Sequence, residues 1–212
     1  METPVRIAVA DFTLDGRLAL PAGATAGAVI CHPHPQYGGS MENDLVVTLT
    51  QALGAAGLAT LRFDFRGVGA SGGRYDDGRG EVADVHAASE LLRERLAVPR
   101  VTLVGYSFGS MMALRAGTGD ADHTTAIVAI APPVRMIALD FVAGSRVPIA
   151  FVTGDRDQFC PLATLESVRE RFAPASTLAL VPGADHFFGS QLAALATRVV
   201  ELVDQTASSS DP

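Results

Sequence analysis

A serine, a histidine and an aspartate that meet in a fold can make an alcohol nucleophilic, and this chain places all three types behind short apolar runs. A serine hydroxyl alone is a poor nucleophile; it needs a base to take its proton and an acid to orient that base. The apolar, β-branched run 100–104 ends in Gly105-Tyr106-Ser107-Phe108-Gly109, and an Ala/Leu/Met-rich stretch follows from Met111. Strand, sharp turn and helix are the setting in which a Gly-x-Ser-x-Gly pentapeptide forms a nucleophile elbow. Ser107 must then sit in a strained conformation, with Gly105 and Gly109 lacking side chains where strand and helix crowd together.

In that architecture an acid and then a histidine follow the serine, each just after a later strand. Run 148–152 reads as a buried strand, and Thr153-Gly154-Asp155-Arg156-Asp157 follows it. Run 177–181 reads as another, followed by Pro182-Gly183-Ala184-Asp185-His186. His186 is the histidine after Ser107 that sits at a strand's carboxyl end; His123 precedes its strand and falls at the wrong edge. Two acids compete. Asp155 follows the glycine, where a carboxylate caps a turn, whereas Asp157 lies deeper in the loop and is better placed to reach His186.

An oxyanion that forms on the attacked carbonyl needs two backbone donors. One is the amide of Phe108, and the other belongs to the loop after an earlier strand. Run 27–31 is that strand and His32-Pro33-His34-Pro35-Gln36-Tyr37-Gly38-Gly39 is the loop. Prolines have no amide hydrogen, which leaves His34, Gln36 and Tyr37, with His34 first by position. His32 and His34 as metal ligands is the rival reading, but no Cys/His/carboxylate spacing elsewhere supports a metal site. A rigid Pro/Gly loop with no catalytic part is the other alternative.

These residues resemble the α/β-hydrolase superfamily over nearly the whole chain, and within it small cap-less bacterial hydrolases related to dienelactone hydrolases. The marks are the His-Pro-His-Pro-x-x-Gly-Gly loop, Arg62-Phe63-Asp64-Phe65-Arg66-Gly67-Val68-Gly69-Ala70-Ser71, Gly-Tyr-Ser-Phe-Gly, Gly-Asp-Arg-Asp and Gly-Ala-Asp-His, in that order. The resemblance implies Ser107 as nucleophile, Asp157 as acid and His186 as base, and leaves the substrate open. Dienelactone hydrolases typically use cysteine, so the serine here points to ordinary ester chemistry.

Around this constellation the alternation of apolar runs with helical stretches predicts an α/β fold: a mostly parallel sheet of about eight strands, helices on both faces. Strands are expected at 6–11 and 17–20, joined by a turn at Leu14-Asp15-Gly16, then at 28–31, 60–65, 100–104, 126–131, 148–152 and 177–181. Helices are expected at 44–56, 82–96, from 111, at 161–172 and at 191–204. Only residues 132–147 separate two strands where many relatives insert a lid, so no large lid domain and an open cleft are expected. Its walls would draw on Tyr37, Tyr106, Met136, Phe159 and Phe187, with Met41, Phe108, Pro132, Pro133 and Phe188 around them. Asp64 and Arg66 either brace the neighbouring loops or touch substrate. Gly67, Gly69, Gly72 and Gly73 are expected to supply left-handed turns.

The 212 residues suit one domain over 1–205 with a flexible tail at 206–212, and 48% hydrophobic content is ample for one core. A net charge of -7, with all 16 basic residues arginine and no basic run, argues against nucleic-acid partners. No apolar run approaches membrane-spanning length, and Met1 to Arg6 shows no basic-then-apolar segment. Cys31 and Cys160 are expected on loops as reduced thiols, which suits a cytoplasmic protein. The expected activity is hydrolysis of carboxylic esters or thioesters of small to medium acyl chain, by a monomer or homodimer that uses no cofactor or metal. A peptidase or acyltransferase on the same residues, or a binding module that has lost turnover, are the alternatives.

Overall fold

The structure, a computed structural model, describes residues 1–208. Eight strands form one sheet in the order β1-β2-β4-β3-β5-β6-β7-β8 among the described residues. They are β1 (Thr3–Val9), β2 (Phe12–Ala19), β3 (Gly27–Cys31), β4 (Ala59–Phe63), β5 (Val101–Tyr106), β6 (Thr124–Ile130), β7 (Ile149–Gly154) and β8 (Thr177–Val181). Strand β2 runs antiparallel to both neighbours, and β3 to β8 are parallel.

Parallel strands need covering on both faces, and the alternation within each strand supplies two cores. Val29, Leu103, Ile127 and Phe151 face one side, with Val85 and Leu92 of α2 (Gly80–Leu96), Met111 and Leu114 of α3 (Phe108–Gly119) and Leu165 of α4 (Leu162–Phe172). Ile30, Val104, Val128 and Val152 face the other, against Leu45 and Leu49 of α1 (Asp44–Ala55) and Leu195 and Val199 of α5 (Leu192–Ser208). Asn43 starts α1 by accepting a hydrogen bond from the amide of Leu45 at 3.1 Å.

Strand order reverses at β3. The chain steps from β3 outward to β4, then returns across β3 to β5. A crevice opens at the carboxyl ends of the strands at such a switch point. The loop after β3 and Ser107 after β5 both border it.

The first hairpin differs from its sequence reading. Its turn is at Ala10 (φ 46°) and Asp11, while Asp15-Gly16 lies inside β2. Asp-Gly is a strong hairpin signal, but Leu14, Gly16 and Leu18 share the buried face of β2. A Cβ on Gly16 would stand 3.1 Å from the carbonyl oxygen of Arg62, so the glycine serves close strand packing and not a turn. Helix α5 continues to Ser208, beyond the expected end at 204, and Leu202, Val203 and Thr206 remain buried in it. The remaining tail residues, 209–212, lie outside the described residues.

Residues 132–147 hold a single short 3-10 turn, Asp140–Val142, and no lid. No helix among the described residues is long and apolar enough to cross a membrane.

Candidate active site

Strand β5 ends at Tyr106 and α3 starts at Phe108, so the chain reverses within Ser107. Its φ of 53° and ψ of -115° are a conformation that side chains other than glycine rarely adopt. The backbone around it is tied down. Its amide donates to the carbonyl of Ile130 at 2.9 Å, and its carbonyl accepts from the amide and hydroxyl of Ser110 at 3.0 and 2.5 Å. Gly109 permits the elbow because a Cβ there would overlap the carbonyl oxygens of Cys31 and His32. The crowding partner is thus the β3 loop, drawn against the start of α3, where unpaired amides give a positive end.

Ser107 Oγ stands 3.0 Å from His186 Nε2. On the far side of the ring, His186 Nδ1 lies 2.8 Å from Asp157 Oδ2 and 3.0 Å from Oδ1. Asp157 Oδ1 also accepts from the amides of Phe159 and Cys160, each at 2.8 Å. The carboxyl therefore meets Nδ1 as an acceptor, which puts the ring proton on Nδ1 and leaves Nε2 free to accept from Ser107. Both side chains are nearly inaccessible, at 8% and 0%. Asp155 takes no part in this contact: it is exposed and caps the β8 turn by accepting from the amide of Gly183 at 2.7 Å. His123 is exposed and pairs with Asp120.

The loop after β3 is built round its two histidines. His32 is fully buried; its Nδ1 donates to the carbonyl of Pro33 at 2.6 Å, and its Nε2 accepts from the amide of Phe65 at 3.1 Å. Burial holds its pKa down to about 4. His34 Nδ1 accepts from the amide of Gln36, and its Nε2 faces the hydroxyl of Tyr75 at 3.1 Å. Both nitrogens of both rings are thus engaged within the protein, so the loop is a hydrogen-bonded scaffold and not a pair of waiting metal ligands. Gly38 (φ 80°) turns the loop, and a Cβ on Gly39 would overlap the carbonyl of Pro33.

Among the three candidate oxyanion amides, Gln36 donates to His34 Nδ1 and Tyr37 donates to the carbonyl of His34 at 3.1 Å. The amide of His34 has no protein acceptor among the described residues. The amide of Phe108 is the first of α3, and the rings of His34 and Phe108 pack at 4.9 Å.

Asp64 and Arg66 brace this edge. Asp64 Oδ1 accepts from the amide of Met41 at 2.7 Å, and its carbonyl accepts from Ser71 at 2.7 Å. Burial raises the Asp64 pKa. Arg66 pairs with fully buried Asp84 at 2.6 Å. Gly67, Gly69 and Gly73 have positive φ, but Gly72 does not; it makes room for Phe12, which a Cβ there would approach to 2.8 Å.

The expected cleft walls divide. Tyr37, Met136 and Phe187 are exposed large apolar side chains, at 84%, 71% and 62%. Phe159 and Phe187 flank the His186 ring at 4.8 and 5.6 Å, and Tyr37 lies on His34 at 4.7 Å. Tyr106 is a correction: it is buried in the core that α5 covers, packed on Phe188, and its hydroxyl donates to the carbonyl of His186. Met41, Pro132, Pro133 and Phe188 are buried as well. Tyr75, absent from the sequence reading, packs on His34 and Phe108; its surroundings of Arg, Asp and Gly in sequence gave no sign of this. A separate hollow of about 600 Å³ lies at the other end of α3, by Arg115, Ile137 and Phe141.

Cys31 is the last residue of β3 and not a loop residue; it and Cys160 are buried free thiols. Burial pushes the Cys31 pKa far up and that of Cys160 up to about 12, so both stay protonated and unreactive.

This fold and elbow define an α/β hydrolase of the serine type. The model of a family described as serine aminopeptidase, S33, matches residues 29–143, more than half of the chain, and the chain belongs to that family. An uncharacterized protein of Rickettsia prowazekii is 32% identical over 190 residues, covering 82% of this chain and 77% of its own. A solved α/β serine hydrolase homologue from Coxiella burnetii is 31% identical with a TM-score of 0.87, over 94% of this chain and 96% of that one. A Xanthomonas campestris structure described as a serine hydrolase without lid is 28% identical with a TM-score of 0.86, over 96% and 94% of the two chains.

Proposed function

We propose that the protein is a serine hydrolase of carboxylic esters or thioesters with small to medium acyl chains. Ser107 attacks the carbonyl while His186 Nε2 takes its proton. Asp157 keeps the other ring proton on Nδ1 and stabilises the imidazolium. The amides of Phe108 and His34 receive the oxyanion. The leaving alcohol takes the proton back from His186, and water, activated by the same ring, then releases the acyl group from Ser107. The observation that carries this reading is the relay from Asp157 through His186 to Ser107, at 2.8 and 3.0 Å.

Tyr37 on the His34 ring and Phe159 and Phe187 beside the His186 ring, at an uncapped serine, favour an uncharged substrate that need not be fully enclosed. The S33 description of the matched family favours amide bonds as a second reading. The test is labelling by a fluorophosphonate, followed by turnover of p-nitrophenyl esters of increasing acyl length beside aminoacyl arylamides. The proposal expects label on Ser107 and faster ester than amide turnover. Unlabelled Ser107 sinks it, and faster arylamide cleavage selects the second reading.

A further inference from the structure

Asp157 orients the His186 ring, but a ring is only as well placed as the backbone that carries it. His186 lies in the turn after β8, a loop with no helix or strand to hold it at that point. Its carbonyl receives one side-chain donor, the hydroxyl of Tyr106, at 2.9 Å across 80 residues of sequence. Tyr106 is 5% exposed, packs edge-on against fully buried Phe188 at 6.3 Å, and lies 5.7 Å from the His186 ring. Burial pushes its pKa far above the usual phenol value, so the hydroxyl remains a neutral donor. Tyr106 is also the residue bonded through its peptide to Ser107.

We infer that Tyr106 is a positioning residue, a strut running from the nucleophile's own strand to the backbone of the base. The ring is held at Nδ1 by Asp157 and the main chain at its carbonyl by Tyr106. The gap between Nε2 and Ser107 Oγ is then fixed by two restraints that do not involve Ser107 Oγ. The turn before His186 is anchored separately, with the carbonyl of Ala184 accepting from the amide of Arg156 at 3.0 Å. That anchor is two residues away. Asp185 holds the turn locally, its side chain accepting from the amide of Phe187 at 3.0 Å and its carbonyl from the amide of Phe188 at 3.3 Å. Tyr106 ties the His186 carbonyl to a strand of the sheet. Without the hydroxyl, His186 keeps its ring contact to Asp157 but loses its fixed distance to Ser107. Displacements of about 1 Å at such a contact cost up to about 100-fold in rate.

The inference rests on the proposed serine chemistry, and Tyr106→Phe tests it, since the ring and its packing stay. Turnover per fluorophosphonate-titrated site is expected to fall about tenfold, with KM for a p-nitrophenyl ester within about twofold, and the labelling rate of Ser107 should fall with it. Amide exchange at residues 185–188 should quicken in the same variant. Val199→Ala in α5, fully buried and outside the histidine loop, is the control for lost stability and should keep its turnover at a comparable loss of Tm. Unchanged turnover per titrated site in Tyr106→Phe overturns the strut, and so does an equal loss in Val199→Ala. Failure of the proposed chemistry itself is seen separately, as wild-type protein that the fluorophosphonate does not label.

Discussion

Acid should unfold this protein through His32, and the size of the effect follows from its two hydrogen bonds. His32 donates from Nδ1 to the carbonyl of Pro33 and accepts at Nε2 from the amide of Phe65, with no exposed surface. A second ring proton would set Nε2–H against the Phe65 N–H, donor against donor, on a ring with no exposed surface. The folded ring therefore resists protonation until about pH 4, whereas in the unfolded chain it takes a proton near 6.5. Between those values the unfolded state binds one proton more, so stability is complete above about 6.5 and falls as pH drops towards 4. The slope is about 1.4 kcal/mol per pH unit, or about 3 kcal/mol across the window. Urea unfolding followed by circular dichroism, from about pH 7.5 to 4, measures this in wild type and in His32→Gln. Carboxylates titrate in both proteins and cancel in the difference, while a glutamine oxygen can still accept from Phe65. The stability gap between the two should shrink, or reverse in favour of the variant, by about 3 kcal/mol on acidification. Parallel curves from 6.5 to 4, or a gap that widens, would refute the reasoning.

Three further substitutions separate the site's parts. In Asp157→Asn the amides of Phe159 and Cys160 hold the side-chain oxygen, so the new NH₂ faces His186 Nδ1 and drives the ring proton to Nε2. Turnover of a p-nitrophenyl ester should fall by about 1000- to 10,000-fold with little change in fold; a loss under tenfold counts against the assignment. Ser107→Gly relieves the elbow at φ 53°, and a net stability gain of about 1 kcal/mol is expected in urea unfolding, with labelling abolished. Gly109→Ala pushes a methyl into the carbonyls of Cys31 and His32, which should cost about 3 kcal/mol by the same measurement; a neutral result means the β3 loop yields freely.

The sequence by itself determined the alternation of strands and helices and the elbow at Ser107, because both are local: apolar runs, glycine spacing and turn chemistry lie within a few residues. It also pointed to His186, since its position after a strand is a local fact. Contacts between distant segments were not legible. Asp155 and Asp157 differ in sequence by two positions, and only the packing of the β7 loop turns one towards the imidazole and the other towards Gly183. The Asp15-Gly16 pair looked like a hairpin turn until strand pairing put Gly16 opposite Phe63. Tyr106 and Tyr75 have the same side chain, yet tertiary structure buried the first under the histidine loop and set the second against His34. Side-chain direction at a strand end depends on which face the whole sheet covers. Residue type fixes the chemistry a group can do, and the fold alone fixes what stands within 3 Å of it.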